Sequence, residues 1–108
     1  MHGQAQEAVR DLRARMAAEA RTLRELEKQF QHPYFKKRAL RAINDAEEAE
    51  IMFLRPLEKE NWRDVQQELA AVGYAETIFQ MAVSQRKQLE EVMAKYGPTA
   101  VVEHPAKR

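Results

Sequence analysis

Apolar residues recur every seven positions near the start of the chain, as Val9, Met16, Leu23 and Phe30, with a second track of Ala5, Leu12, Glu19 and Leu26 interleaved. Side chains at these spacings share one helix face, and a sevenfold repeat keeps that face against a neighbour through several turns. The pattern predicts a first helix from about Gln4 to Gln31, ended by Pro33, because the residue before a proline is pushed out of the α region. At about 1.5 Å per residue it is roughly 40 Å long and needs a neighbour of comparable length. Val9, Leu12, Met16, Leu23, Leu26 and Phe30 are therefore the first candidates for an oligomer or partner interface. Glu19 is the polar member of the ladder. It either fixes register, as single polar residues do in coiled coils, or leans out to solvent over its own methylenes.

A second helix is expected from Pro33 or Tyr34 to Leu54, with a stripe of Phe35, Ala39, Ala42, Ala46, Ala49 and Phe53 flanked by Ile43 and Leu54. Alanines let two helix axes approach closely, and the phenylalanines anchor the ends. Leu40, Ile51 and Met52 point elsewhere, which implies a second contact, within the chain or across an oligomer. Pro56 ends or kinks this helix. Asn61, with Asp64 three residues on, is the expected cap of a third helix that begins near Trp62 and closes at Gly97-Pro98.

The early apolar positions of that third helix, Trp62, Val65, Leu69 and Val72, and the later ones from Ala75 through Phe79 to Tyr96 lie on faces more than about 100° apart. Gly73 sits at the changeover. The helix either kinks or breaks there, or runs through with its halves against different neighbours. Trp62 seals the end of the core or, with Phe79, joins the candidate interface. Thr99 to Arg108 has no helical period. The expected architecture is all-α: a three-helix bundle, or four-helix if Gly73 breaks the last helix, with a long coiled-coil-like first helix. A single helical domain spans residues 1–97, and residues 98–108 form a flexible or docking C-terminal arm.

Composition supports this reading. The 108 residues suit one domain, and only three glycines and four prolines interrupt a helix-forming vocabulary. The chain has no cysteine, which removes disulfides, thiolate nucleophiles and cysteine-based zinc sites and fits a cytoplasmic address. No apolar run approaches the ~20 residues that cross a bilayer, and the start lacks the pattern of a signal peptide. Net charge is +1, from 18 basic and 17 acidic residues, so polyanion binding has to come from a local patch.

One such patch is Lys36, Lys37, Arg38 and Arg41, at a helix start where the dipole disfavours cations. Glu25 and Glu27 at the end of the first helix are its expected structural counter-charges, with Arg41 also paired to Asp45. The functional alternative is contact with phosphates or an acidic protein surface, with Tyr34 and Phe35 beside the patch. The acidic run Asp45, Glu47, Glu48 and Glu50 is spread around the helix and is a poor match to a magnesium site. No Glu-x-x-His pair suggests a di-iron bundle. His2, His32 and His104 have no spaced second ligand and are expected in solvated roles, and Ser84 has no recognisable base near it in sequence. No catalytic, cofactor-binding or metal-binding residue is assigned.

The functional expectation is a non-enzymatic helical protein–protein interaction module, an assembly component, adaptor or inhibitor of a larger partner that also associates with itself. Size and style match a small phage or bacterial accessory protein. The alternative is a small nucleic-acid-binding or nucleoprotein-assembly factor using the basic patch.

Overall fold

A computed structural model describes residues 1–59 and 64–102. Its elements are α1 (Gly3–Gln29), α2 (Pro33–Ala49), a π-helical turn (Glu50–Leu54), α3 (Arg55–Lys59) and α4 (Val65–Tyr96). The second rod, α2 through α3, is continuous, so the described chain forms three helical rods, and it contains no strand. The all-α bundle with a long first helix is as expected from the apolar spacing. Asn61 and Trp62 lie outside the described residues. The side chain that caps α4 is Asp64, whose Oδ1 accepts from the Gln66 N–H at 2.8 Å.

The two tracks of α1 are buried inside the single chain. Val9, Leu12, Met16, Leu23, Leu26 and Phe30 are at most 7% exposed. Their neighbours are α2 and α4, both of which pack along α1. The long partner that a helix of this length requires is therefore supplied by the chain itself. This reassigns the ladder from a candidate interface to the core, and Phe79, 2% exposed, goes with it.

Phe30 leaves the helix as its C-cap, and Pro33 opens α2 at a position where a missing N–H costs nothing. The His32 ring accepts the Tyr34 N–H at 3.1 Å, so this histidine is an N-cap rather than a solvated side chain. Phe30 and Phe35 stack across the turn with centroids 4.9 Å apart. Along α2 the small residues Ala39, Ala42, Ala46 and Ala49 are buried, as close axis approach demands.

The expected stripe fails at its far end for a definable reason. Proline lacks an N–H, and its ring crowds the carbonyl four residues back. The turn ahead of Pro56 widens accordingly, and the Arg55 N–H bonds Glu50 O, five residues back. The rod continues through Pro56 to Lys59 instead of ending there. Widening also shifts register: Leu54 and Leu57 enter the core, whereas Phe53 turns outward to meet Tyr74 at 5.8 Å. Arg13 of α1 clamps the segment, with Nε donating to Glu50 Oε1 at 2.5 Å and a second guanidinium nitrogen donating to Glu58.

Helix α4 runs unbroken past Gly73. Its core track is Glu68, Ala75, Ala82 and Leu89, each 0% exposed and seven residues from the next, with Phe79 beside it. The apparent jump of the stripe arises because a glutamate occupies the first place on a straight heptad track. Val65, Leu69 and Val72 are half-buried shoulders. Gly97, at φ +75°, ends α4 by donating to Met93 O at 2.8 Å. Beyond it, Gln31 N–H donates to Pro98 O at 3.0 Å and Ala100 is buried, so the chain following α4 is seated at the α1–α2 turn, while Val101 is exposed.

Nothing lies within 4 Å of a Cβ built on Gly73, and the residue is helical. Gly73→Ala should raise stability by about 0.5–1 kcal/mol, measured by urea unfolding, since it removes backbone freedom from the unfolded chain without a clash. A loss of stability would show that this part of α4 is not regular helix.

Candidate functional site

Polar contacts at two places along α4 join distant parts of the chain. Glu19, on the buried face of α1, is 8% exposed and does not lean out to solvent. Arg86 of α4 grips it with two hydrogen bonds, Nε to Oε2 at 2.6 Å and Nη2 to Oε1 at 3.1 Å, and also donates to Glu90 at 2.8 Å. Arg15 joins α1 to Glu76 of α4 at 2.5 Å and lies 5.6 Å from the Phe79 ring centroid. The carboxylates hold the Arg86 guanidinium even more firmly protonated than usual.

At the other end of α4, Glu68 is fully buried. Its carboxylate accepts the His2 backbone N–H at 3.1 Å and sits 2.5 Å from His2 Nδ1, with the terminal ammonium 3.9 Å away. His2 thus has a structural partner, contrary to the expectation of a solvated ring. His104 lies outside the described residues. Among the described residues no three His, Cys, Asp or Glu side chains gather as a metal site would require.

The basic cluster divides. Lys36 Nζ donates to Glu27 O at 2.8 Å and pairs with its carboxylate at 3.7 Å, as expected for a counter-charge across the hairpin. Glu25 instead pairs with Lys28 on its own helix. The Arg38 guanidinium crosses to α4, donating to Gln85 at 2.6 Å and to Gln88 at 2.7 Å, and lies 5.8 Å from the Tyr34 ring centroid. Its charge is held by neutral amides and is not cancelled by a carboxylate. Lys37 and Arg41 are exposed and form no ion pair within 4 Å among the described residues, so the anticipated Arg41–Asp45 pair is absent. In the acidic run, Glu50 serves Arg13 and Arg55, and Glu47 lies 3.9 Å from Arg24.

With the ladder inside, the apolar surface that remains is concentrated on α2, α4 and the turn between the π segment and α3. Leu40 and Ile51 are each 50% exposed, Met52 57%, Met81 59% and Tyr74 62%. A groove of about 240 Å³ between α2 and α4 is lined by Tyr34, Arg38, Arg41, Asp45, Met81 and Gln85 among others. Trp62, the remaining interface candidate, lies outside the described residues. Sequence reading singled out Leu40, Ile51 and Met52 as calling for a second contact, but it missed Tyr74 and Met81. It also missed Glu68 and Arg86, since a charged residue scores as surface wherever it stands.

No protein-family model, no curated protein and no solved structure matches this chain. The geometry of the exposed faces is what bears on function.

Burial pushes the Glu68 carboxyl upward, but hydrogen bonds from the His2 ring and backbone, then the nearby positive charges, outweigh it and hold the group below the ordinary glutamate value of 4.5. A depressed carboxyl contributes stability that is present above 4.5 and is lost as pH falls through the folded-state value. The urea midpoint should therefore decline on acidification below that point, and Glu68→Gln should flatten this part of the profile. An unchanged acid profile in Glu68→Gln would contradict the contact between Glu68 and His2.

Proposed function

We propose that the chain is a non-enzymatic helical interaction module whose working surface is the α2–α4 face. The observation that carries this reading is the combination of Tyr34, Tyr74 and Met81, each 45–62% exposed, with Arg38 held between the two helices. Tyrosine, methionine and arginine are over-represented where proteins meet, and methionine adapts its shape to a partner at small cost. A partner that places an apolar side chain against Met81 and a carboxylate against Arg38 fits the chemistry of the groove.

The three-rod core supports this role as a rigid platform. Arg38 is aimed by Gln85 and Gln88 before any partner arrives, which reduces the ordering cost of binding. Contact with a polyanion draws less support. Of its four proposed cations, Lys36 is already paired with Glu27, and the remaining three make only a small patch on a chain of net charge +1. No helix among the described residues is long and apolar enough to cross a membrane.

A photo-crosslinking benzoylphenylalanine in place of Met81, compared with one in place of Lys28 on the far side of α1, tests the reading in cells that make the protein. The expected result is discrete protein adducts from the first position and none from the second. Absence of adducts at the Met81 position, or equal labelling from both, would contradict a dedicated α2–α4 surface.

A further inference from the structure

The outward face of α2 presents Lys37, Leu40, Asn44 and Glu48, with Arg41 at its edge where the strip meets the α2–α4 groove, all exposed, followed by Ile51 and Met52 on the π turn. The spacing of three and four makes this a helical strip of the kind that packs against another helix. Among the described residues nothing covers it. Leu40, Ile51 and Met52 remain half or more exposed, so the second contact they call for is not made by the described residues of the chain.

The charges on the strip are ordered. Its first half holds Lys37 and Arg41, its second half Glu48, with the neutral Asn44 between them. Lys37, Arg41 and Glu48 have no ion-pair partner within 4 Å among the described residues, whereas the neighbouring acids Glu47 and Glu50 do. A helix that is basic in one half and acidic in the other is complementary to itself when turned end for end. In an antiparallel pair about a two-fold axis near Asn44, residues on the same flank of the two helices face each other. Arg41 then meets Glu48 of a second copy, twice by symmetry. The same turn lays Leu40 against the Ile51–Met52 segment of the second copy.

We infer that a second copy of this chain docks antiparallel on the outer face of α2, with two Arg41–Glu48 contacts flanking an apolar seam of Leu40, Ile51 and Met52. The inference rests on the interaction-module reading and names one partner and one surface for it. The α2–α4 groove around Met81 adjoins the strip and shares Arg41 with it, while its Arg38 and Met81 are not used in the pairing and stay available to a different protein.

Charge reversal tests the pairing. Analytical ultracentrifugation across a concentration series should show a dimer for the parent chain. Arg41→Glu and Glu48→Arg, each checked for retained helicity, should raise the dimer dissociation constant about tenfold or more, because each places like charges opposite one another. An equimolar mixture of the two single variants, and the double variant R41E/E48R, should return it to near the parent value. Since the chain has no cysteine, Asn44→Cys supplies a second readout and should form a disulfide-linked dimer on mild oxidation. A parent chain that is monomeric throughout, or a dimer indifferent to both reversals and unable to cross-link through Asn44→Cys, would overturn the pairing. In either case Met81-directed adducts to another protein would leave the interaction-module reading standing, and their absence as well would remove both.

Discussion

The apolar face of α1 is covered along its length by the α2–α3 rod and by α4, and the placement of every other element follows from that coverage. Each large side chain removed from water there contributes roughly 1.5–3 kcal/mol before conformational entropy is subtracted. Apolar contact alone tolerates sliding of one helix past another. The Glu19–Arg86 pair removes that freedom, because a carboxylate at 8% exposure that loses its guanidinium is left buried and uncompensated, at a cost of about 3–5 kcal/mol. The pair joins α1 to α4 at one place along their length, as a polar residue in a coiled-coil seam joins two chains.

Much of this was readable from residue spacing. The tracks of α1 and the small-residue stripe of α2 are periodic, and the proline after α1 marks its end. What spacing leaves open is who supplies the neighbour. A heptad face looks the same whether it packs on a second chain or on the later helices of its own, and here the length of α4, 32 residues, is what closes the question in favour of the latter. The change of stripe in α4 was misleading for a related reason. Glu68 holds a core position because His2 brings donors to it, a pairing across 66 residues that no local pattern reveals. The π turn was invisible as well, since it answers the steric demand of Pro56 by altering the number of residues per turn and so rotates Phe53 out of the stripe.

Burying the ladder changes what the molecule has left to offer. Several charged residues of α1 are engaged with the other rods, Arg13 with Glu50 of the π turn, Arg15 with Glu76 and Glu19 with Arg86 of α4. On α2 the inward face is alanine-rich and tightly packed, while the outward face keeps Leu40, Arg41 and Glu48 without partners among the described residues. One helix therefore joins the core to the surface proposed for function. Its small inward residues hold it close to α4, which in turn fixes the spacing between Tyr34, Arg38 and Met81 across the groove.

The methionines give a direct measurement of whether the α1 face or the α2–α4 face is the exposed one. Met16 is 7% exposed, against 57% for Met52 and 59% for Met81. In dilute protein treated with peroxide and followed peptide by peptide, Met52 and Met81 should convert to the sulfoxide much faster than Met16. Rapid oxidation of Met16 with protection of Met81 would mean that the ladder faces outward, and would contradict the account at its root.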